Sequence, residues 1–201
     1  MNIIEESYKW QKGLERRNST RYIILHHRAG CGSVQSIHSE HLARGWSGIG
    51  YHFYVRRDGT VYRGRPLDTV GAHCTGKNSV SVGVCFEGNY QADRIMPSEQ
   101  LHSGRELVAQ LQKIYPHAEI KGHRDFYATA CPGRNFPFDE IVKGANAVKN
   151  GKKELTSAND ITWELSQMIH IDDIDGFVRA LDAAKSENSP LYWGIRKIVN
   201  R

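Results

Sequence analysis

Short apolar runs separated by turn signals organise the first 145 positions of the chain. Arg21–His27 (RYIILHH) and Val80–Phe86 (VSVGVCF) are nearly continuous β-branched and apolar runs, which predict buried strands. Ala118–Lys121 predicts a further short strand. The run at Arg21–His27 delivers a histidine at its carboxyl end, and functional side chains often lie at such strand ends.

A hairpin is predicted in the middle of this region. Tyr51–Arg57 and Thr60–Arg63 read as two strands, and Asp58-Gly59 lies between them. An Asp-Gly pair tolerates the positive φ angles that tight hairpin turns require, so one turn signal predicts two antiparallel strands.

Two segments predict helices. Ser33–Arg44 opens on a serine, a preferred N-cap residue, and Gly45 follows its end. Pro97–Tyr115 opens on Pro-Ser-Glu and predicts a long amphipathic helix. Its apolar residues recur at helical spacing: Leu101, Leu107, Val108, Leu111 and Ile114.

Near position 148 the sequence becomes polar and charged and loses its apolar periodicity. We predict a first domain over residues 1–147, a polar linker over 148–159 (Val148–Asn159) and a small helical module over 160–201. The module contains short helical patterns, at Asp160–Met168, Ile174–Ala184 and Pro190–Val199. So short a segment buries little surface by itself, which leaves open burial against the first domain or a homo-oligomer formed through this module.

Composition narrows the function classes. With 39% hydrophobic and 24% charged residues among 201, the chain is typical of globular proteins. No run approaches the roughly 20 apolar residues of a membrane span. The formal charge of +5 comes without basic clusters, so it separates a nucleic-acid partner poorly from an anionic cell wall. We interpret the charge as a contribution to solubility and expect no nucleic-acid partner. The N-terminal sequence MNIIEESYKWQKGLERR is not typical of a secretory signal.

Three residues have the chemistry of a zinc site. His26 ends a predicted strand, His123 begins a polar loop, and Cys131 follows eight positions later. Two imidazoles and a thiolate leave zinc one open coordination position, as catalytic rather than structural zinc sites do. Taken alone, a histidine at a strand end is more often structural, so the surrounding motifs matter.

Four motifs follow in order: IILHHRAG, GWSGIGYHFYVRRDGTVYRGR, VGAHCTGKNSVSVGVCFEG and GHRDFYATACPG. Over residues 20–145 the sequence resembles the type 2 N-acetylmuramoyl-L-alanine amidases, a superfamily that includes peptidoglycan recognition proteins and amidase-type phage lysozymes. The resemblance implies an α/β fold with a central, mixed, mostly parallel β-sheet flanked by helices, to which a small C-terminal helical appendage is added here. It also implies that one zinc ion is held by His26, His123 and Cys131.

The resemblance assigns further residues to the site. Tyr51 and Thr129 fall in the catalytic shell, where a phenol and a hydroxyl can orient water and stabilise an oxyanion. Some family members have lysine in place of Thr129, so the division of roles stays open. His73 matches a histidine on the groove wall and is predicted to contact substrate, as is Asn78. The alternative is that His73 is a structural loop histidine whose ring forms hydrogen bonds with backbone groups.

Neighbouring residues have structural interpretations. His27 and His52 each follow a site residue and, by the two-residue period of a strand, point to the opposite face, where we expect them to pack. Cys85 lies in an apolar strand and is expected in the core. Arg124 and Asp125 are expected to hold the metal loop.

These features together predict a peptidoglycan hydrolase that cuts the amide between N-acetylmuramic acid and L-alanine. A non-catalytic peptidoglycan-binding module is the alternative, but such relatives commonly lose the cysteine ligand, which Cys131 retains. A nucleic-acid binder with structural zinc would need a fourth ligand. The appendage favours a phage or prophage endolysin, made in the cytoplasm without a signal peptide and acting on the wall after release, over a cytoplasmic recycling amidase.

The C-terminal module generates a first prediction. If residues 160–201 bind the wall, a protein ending at Asn150 should cleave small muropeptides at the full rate but lose binding to intact walls, because tethering raises the local enzyme concentration. Pelleting with purified walls measures this. Loss of thermal stability or aggregation of the truncated protein would instead indicate that the module covers an apolar patch.

Overall fold

A computed structural model describes residues 3–149 of the chain. Within this range there are six strands: β1 (Ile3–Ile4), β2 (Tyr22–His27), β3 (Phe53–Val55), β4 (Val61–Arg63), β5 (Ser81–Phe86) and β6 (Glu119–Gly122). The same range has three α-helices, α1 (Val34–Ala43), α2 (Ser98–Ile114) and α3 (Phe138–Lys149), and two single 3₁₀ turns, Asn78–Val80 and His123–Asp125.

The strands of the described region form one mixed sheet in the order β1-β4-β3-β5-β2-β6. The β3–β4 hairpin is antiparallel, and every other neighbouring pair is parallel. The predicted α/β class with a mixed, mostly parallel sheet is therefore confirmed. The predicted turn at Asp58 is also present, where its carboxylate accepts the backbone N–H of Thr60 at 2.9 Å.

The central strands β2 and β5 are buried along almost their whole length. Alternate side chains of these strands face two separate cores, as the two-residue period requires. One core joins the sheet to α2 and α3 and contains Ile23, Leu25, Val82, Val84, Leu107, Leu111 and Ile141. The other lies under α1 and contains Val34, Ile37, Ile49, Tyr54 and Cys85.

The two predicted helices are present with small changes. Helix α1 is capped by Ser33, whose hydroxyl accepts the backbone N–H of Ser36 at 3.1 Å. Helix α2 buries Leu101, Leu107 and the next apolar positions, but Ile114 at its end is 55% exposed, so the predicted apolar face ends one turn earlier.

Two elements have no counterpart in the sequence interpretation. Strand β1 has only two residues and forms beside β4. Helix α3 packs on α2 and runs through Lys149, so its last two residues occupy the start of the predicted 148–159 linker. The remainder of that linker and the 160–201 module lie outside the described residues, and the predictions for them stand as predictions. Among the described helices, none has the length and apolar character needed to cross a bilayer.

Arg17 fixes the N-terminal segment to the body of the fold. Its guanidinium is 7% exposed and donates to the carbonyls of Leu67 (2.5 Å), Thr69 (2.8 Å) and Ser81 (3.1 Å), and to the hydroxyl of Thr20 (3.0 Å). Hydrogen bonds from a buried charged donor are stronger than those between neutral groups. Their loss leaves several buried acceptors without a hydrogen-bond donor.

Replacing this arginine should therefore destabilise the protein. We expect Arg17→Ala to lower the free energy of unfolding by about 3 kcal/mol in denaturant titrations. The matched control is Arg16→Ala, because the Arg16 side chain is 81% exposed and has only a 3.7 Å ion pair with Asp68. It should change stability by less than about 0.5 kcal/mol. Equal effects of the two substitutions would contradict the role given to Arg17.

Candidate metal centre and groove

The three predicted metal ligands come together at one edge of the sheet. His26 lies at the carboxyl end of β2, and His123 directly follows β6, which pairs with β2 in parallel through Leu25 and Gly122. Cys131 returns in the loop after His123. Their candidate ligand atoms all lie within 4.8 Å of one another, the one such group of three among the described residues.

The geometry and chemistry of this group fit a divalent cation. The Sγ atom of Cys131 lies 3.7 Å from Nδ1 of His26. For comparison, zinc bonds of about 2.3 Å to sulfur and 2.0–2.1 Å to nitrogen place tetrahedral ligand atoms about 3.6 Å apart. Burial holds the pKa of His26 well below 6.5 and raises the pKa of the Cys131 thiol to about 11. A bound cation would offset the cost of an ionised thiol here.

The loop that carries Cys131 is held by side chains that bind its backbone. Asp125 accepts the N–H of Gly122 at 2.8 Å, and the Arg124 guanidinium donates to the carbonyl of Gly133 at 3.0 Å. The hydroxyl oxygen of Thr129 accepts the N–H of Cys131 at 3.2 Å. Arg124 and Asp125 thus hold the loop as expected, and Thr129 lies next to the metal ligand.

Tyr51 lies on one side of the central histidine. Its ring centroid is 5.2 Å from that of His26 and 5.7 Å from that of His41. Burial, followed by the sulfurs of Cys85 and Cys131, raises the pKa of the Tyr51 phenol well above 10.0. The structure thus places Tyr51 beside His26, a predicted metal ligand, and packs it against the core cluster that contains Cys85.

His73 and Asn78 lie on another side. Nδ1 of His73 is 3.0 Å from Nε2 of His26, and His73 is only 8% exposed. The amide oxygen of Asn78 accepts the N–H groups of His73 and Cys74, both at 2.8 Å. Both residues border the groove described next, and both also have structural partners that the sequence did not indicate.

A groove of about 660 Å³ opens beside the metal ligands. Its lining includes His73 and His123, together with Trp46, Arg65 and Tyr127. Trp46 is 38% exposed, so it contributes an aromatic surface to this groove, and its ring centroid lies 4.6 Å from that of His41 in α1.

The N-terminal segment supplies part of the groove wall. Residues 12–15, including Lys12 and Glu15, line it, and the carbonyl of Glu15 accepts the N–H of Val70 at 2.8 Å. Sequence reasoning missed this wall because the segment is polar and lacks periodicity. Arg17, a charged residue that turns out to be buried, gives no local signal of its role.

Comparison with known proteins decides the family. Residues 16–134, more than half of the chain, match the family model described as N-acetylmuramoyl-L-alanine amidase. The chain belongs to this amidase family. This confirms the resemblance read from the four motifs, and it identifies the chain as an enzyme that hydrolyses peptidoglycan.

Individual relatives of the amidase agree. The endolysin of Klebsiella phage KP32 is 38% identical over 125 residues, which cover 58% of this chain and 83% of that protein. The structure of the amidase LysC from Clostridium intestinale URNW is 41% identical with a TM-score of 0.70, over 73% of this chain and 98% of LysC. Peptidoglycan recognition protein LE, solved with tracheal cytotoxin, is 28% identical with a TM-score of 0.63, over 70% and 92%.

Two further histidines and three further cysteines of the amidase lie outside the group of predicted metal ligands. Nδ1 of His27 accepts the N–H of Tyr90, and Nδ1 of His52 accepts the N–H of Gly83, both at 3.0 Å, so these histidines pack inside as expected. Cys85 is fully buried. Of the two loop thiols without an assigned partner, Cys31 is exposed and Cys74 is buried.

Proposed function

We propose that the amidase uses one zinc ion, held by His26, His123 and Cys131, to cut the amide between the lactyl group of N-acetylmuramic acid and L-alanine. The proposal extends to the biological role, which is lysis of the bacterial wall as a phage endolysin. The observation that carries it is the set of two imidazoles and one thiol gathered beside an open groove, whose lining includes His123. A purely binding protein has no need of this set.

The chemistry divides among the residues of the site. A bound zinc ion supplies Lewis acidity, which polarises a carbonyl and acidifies water. Tyr51 is assigned to the attacking water. Burial keeps its phenol protonated, so it either orients the water or accepts the water's proton while passing its own proton on. Thr129 keeps its hydroxyl proton free of the Cys131 contact and is assigned to the carbonyl oxygen as negative charge develops there. Water adds to the carbonyl carbon, the C–N bond breaks, and the leaving alanine nitrogen takes the proton that the water gave up.

The groove supports peptidoglycan as the partner. Its lining includes polar side chains such as Glu15 and Asn78, and it carries two cationic groups, Lys12 and Arg65. Stem peptides carry carboxylates, which such groups attract. Trp46 and Tyr127 add exposed aromatic surface suited to the apolar faces of sugars and peptides.

Wall digestion tests the function directly. Purified cell walls and, separately, soluble muropeptides are incubated with the amidase, and the new termini are identified by mass spectrometry. New alanine amino termini released from intact walls are expected. Binding without new termini would leave a recognition module, and cleavage of soluble fragments alone would favour a wall-recycling enzyme.

Removal of the thiol ligand tests the metal. The purified protein should contain about one zinc ion per chain, and Cys131→Ser should lose both the metal and the activity. Cys31→Ser is the matched control, because Cys31 is an exposed loop thiol and its loss should leave the zinc content unchanged. Elemental analysis measures both. Wild-type zinc content and rate in Cys131→Ser would show that the site is wrongly assigned.

Removal of one phenolic hydroxyl tests Tyr51. Tyr51→Phe should keep zinc and fold normally but slow hydrolysis about 100-fold, since positioned proton-transfer groups contribute about 10²–10⁴. Tyr54→Phe is the control for the same chemical change, because the Tyr54 hydroxyl donates to the carbonyl of Gly32 at 2.8 Å, away from the metal ligands. An unchanged rate in Tyr51→Phe, at limiting and saturating substrate, would remove Tyr51 from the catalytic group.

A further inference from the structure

The two nitrogens of the His26 ring face different partners. Nδ1 lies 3.7 Å from the sulfur of Cys131, while Nε2 lies 3.0 Å from Nδ1 of His73. The His26 and His73 rings meet edge to face, with centroids 5.1 Å apart and an interplanar angle of 85°. This orientation points one ring nitrogen of His26 at the metal ligands and the other at a single histidine.

Hydrogen-bond directions along this contact are determined by the partners. If Nδ1 of His26 ligates a metal, the neutral ring carries its proton on Nε2, which then donates to Nδ1 of His73. His73 in turn carries its proton on Nε2, which lies 3.4 Å from the hydroxyl oxygen of Ser81. The Ser81 hydroxyl donates to the carbonyl of Lys77 at 2.7 Å, so every donor in the chain has an acceptor.

His73 is fixed tightly enough to hold this orientation. Its backbone N–H is bound by Asn78, and its ring fills a slot between two glycines. A Cβ atom at Gly71 would lie 2.4 Å from His73 Cδ2, and one at Gly83 would lie 2.5 Å from His73 Cγ. Such distances are far below van der Waals contact, so any larger residue at either position would displace the ring.

We propose that His73 is a positioning residue of the metal centre, which holds His26 in its metal-binding orientation and tautomer through the Nε2–Nδ1 hydrogen bond. This differs from the substrate contact expected from the sequence, because the ring nitrogen nearest the centre is engaged by His26. The inference rests on the proposed function only in that the site holds zinc. Partners of this kind typically contribute about 10–100-fold to metal affinity.

Zinc affinity of the full-length protein is the deciding measurement, made by competition with a chromophoric chelator and without substrate. His73→Phe keeps a ring in the slot but removes the acceptor, and it should weaken zinc binding about 10–100-fold. His73→Asn returns an acceptor oxygen close to the Nδ1 position and should recover most of the affinity. The visible spectrum of the cobalt-loaded protein should change in the phenylalanine variant and return toward wild type in the asparagine variant.

His38→Phe is the matched control for the loss of a buried imidazole. Nδ1 of His38 accepts the N–H of Ile49 at 3.1 Å, so its replacement costs a similar structural contact while leaving zinc affinity unchanged. Gly83→Ala keeps both imidazoles but displaces the His73 ring, so it should also weaken zinc binding. This variant replaces His73→Phe in the test if His73→Phe does not fold.

Wild-type zinc affinity in His73→Phe, or in Gly83→Ala if the first variant is unfolded, would overturn the positioning role. The positioning role would also be overturned if His73→Asn bound zinc no more tightly than His73→Phe. The hydrogen-bond acceptor at position 73 would then have no effect on zinc affinity. Zinc binding that is normal in the wild type alongside a failure to cleave walls would instead refute the proposed function. The two failures are therefore distinguishable.

Discussion

Parallel pairing of β2 with both β5 and β6 is the constraint on which the site depends. The carboxyl ends of parallel strands meet at one edge, so His26 at the end of β2 lies beside Cys85 of β5 and next to the point where β6 gives way to His123. A shift of one residue in the β2 register would turn His26 toward the core under α2 and α3. Ile23 and Leu25, which anchor that core, thereby also orient the metal ligand.

Loops complete the site, and single side chains hold these loops in place of regular secondary structure. Asp125, Thr129 and Asn78 each accept backbone N–H groups in the segments that carry His123, Cys131 and His73. Such bonds satisfy buried polar groups and fix the geometry before a ligand arrives. Substitutions in these acceptors are thus expected to act on the centre without touching a reacting atom.

The sequence predicted those parts of the fold in which a local pattern has one interpretation. Continuous apolar runs identified β2 and β5, and helical spacing identified α2. Helix α3 escaped prediction because, over residues 138–146, only Ile141 and Ala145 are buried and Gly144 interrupts the segment. Strand β1 escaped because two residues form a strand only when β4 is beside them.

The candidate site also has parts that the sequence predicted and parts that it did not. The three predicted metal ligands do lie together, and the sequence pointed to them because their residue types and motifs are recognisable. The contact of His73 with His26 was not, since it depends on two rings from different segments meeting at one angle. The wall formed by Lys12 and Glu15 was equally hidden, because it depends on how Arg17 is bound. Roles that arise from distant parts of the chain leave no local periodicity.

The manner in which Arg17 holds the N-terminal segment has a further consequence for cooperativity. The predicted metal ligands belong to the innermost strands and their adjoining loops, whereas residues 12–15 of the groove wall form an irregular segment. That segment is held by the neighbouring Arg17 guanidinium and by backbone hydrogen bonds such as the one from Val70 to Glu15. Irregular segments held in this way open locally at a lower free energy than the centre of a sheet does. A ligand that contacts both this segment and the rest of the groove therefore binds only when the segment is closed. Part of its binding free energy then goes into suppressing local opening of the segment, an opening that does not disturb the predicted metal ligands.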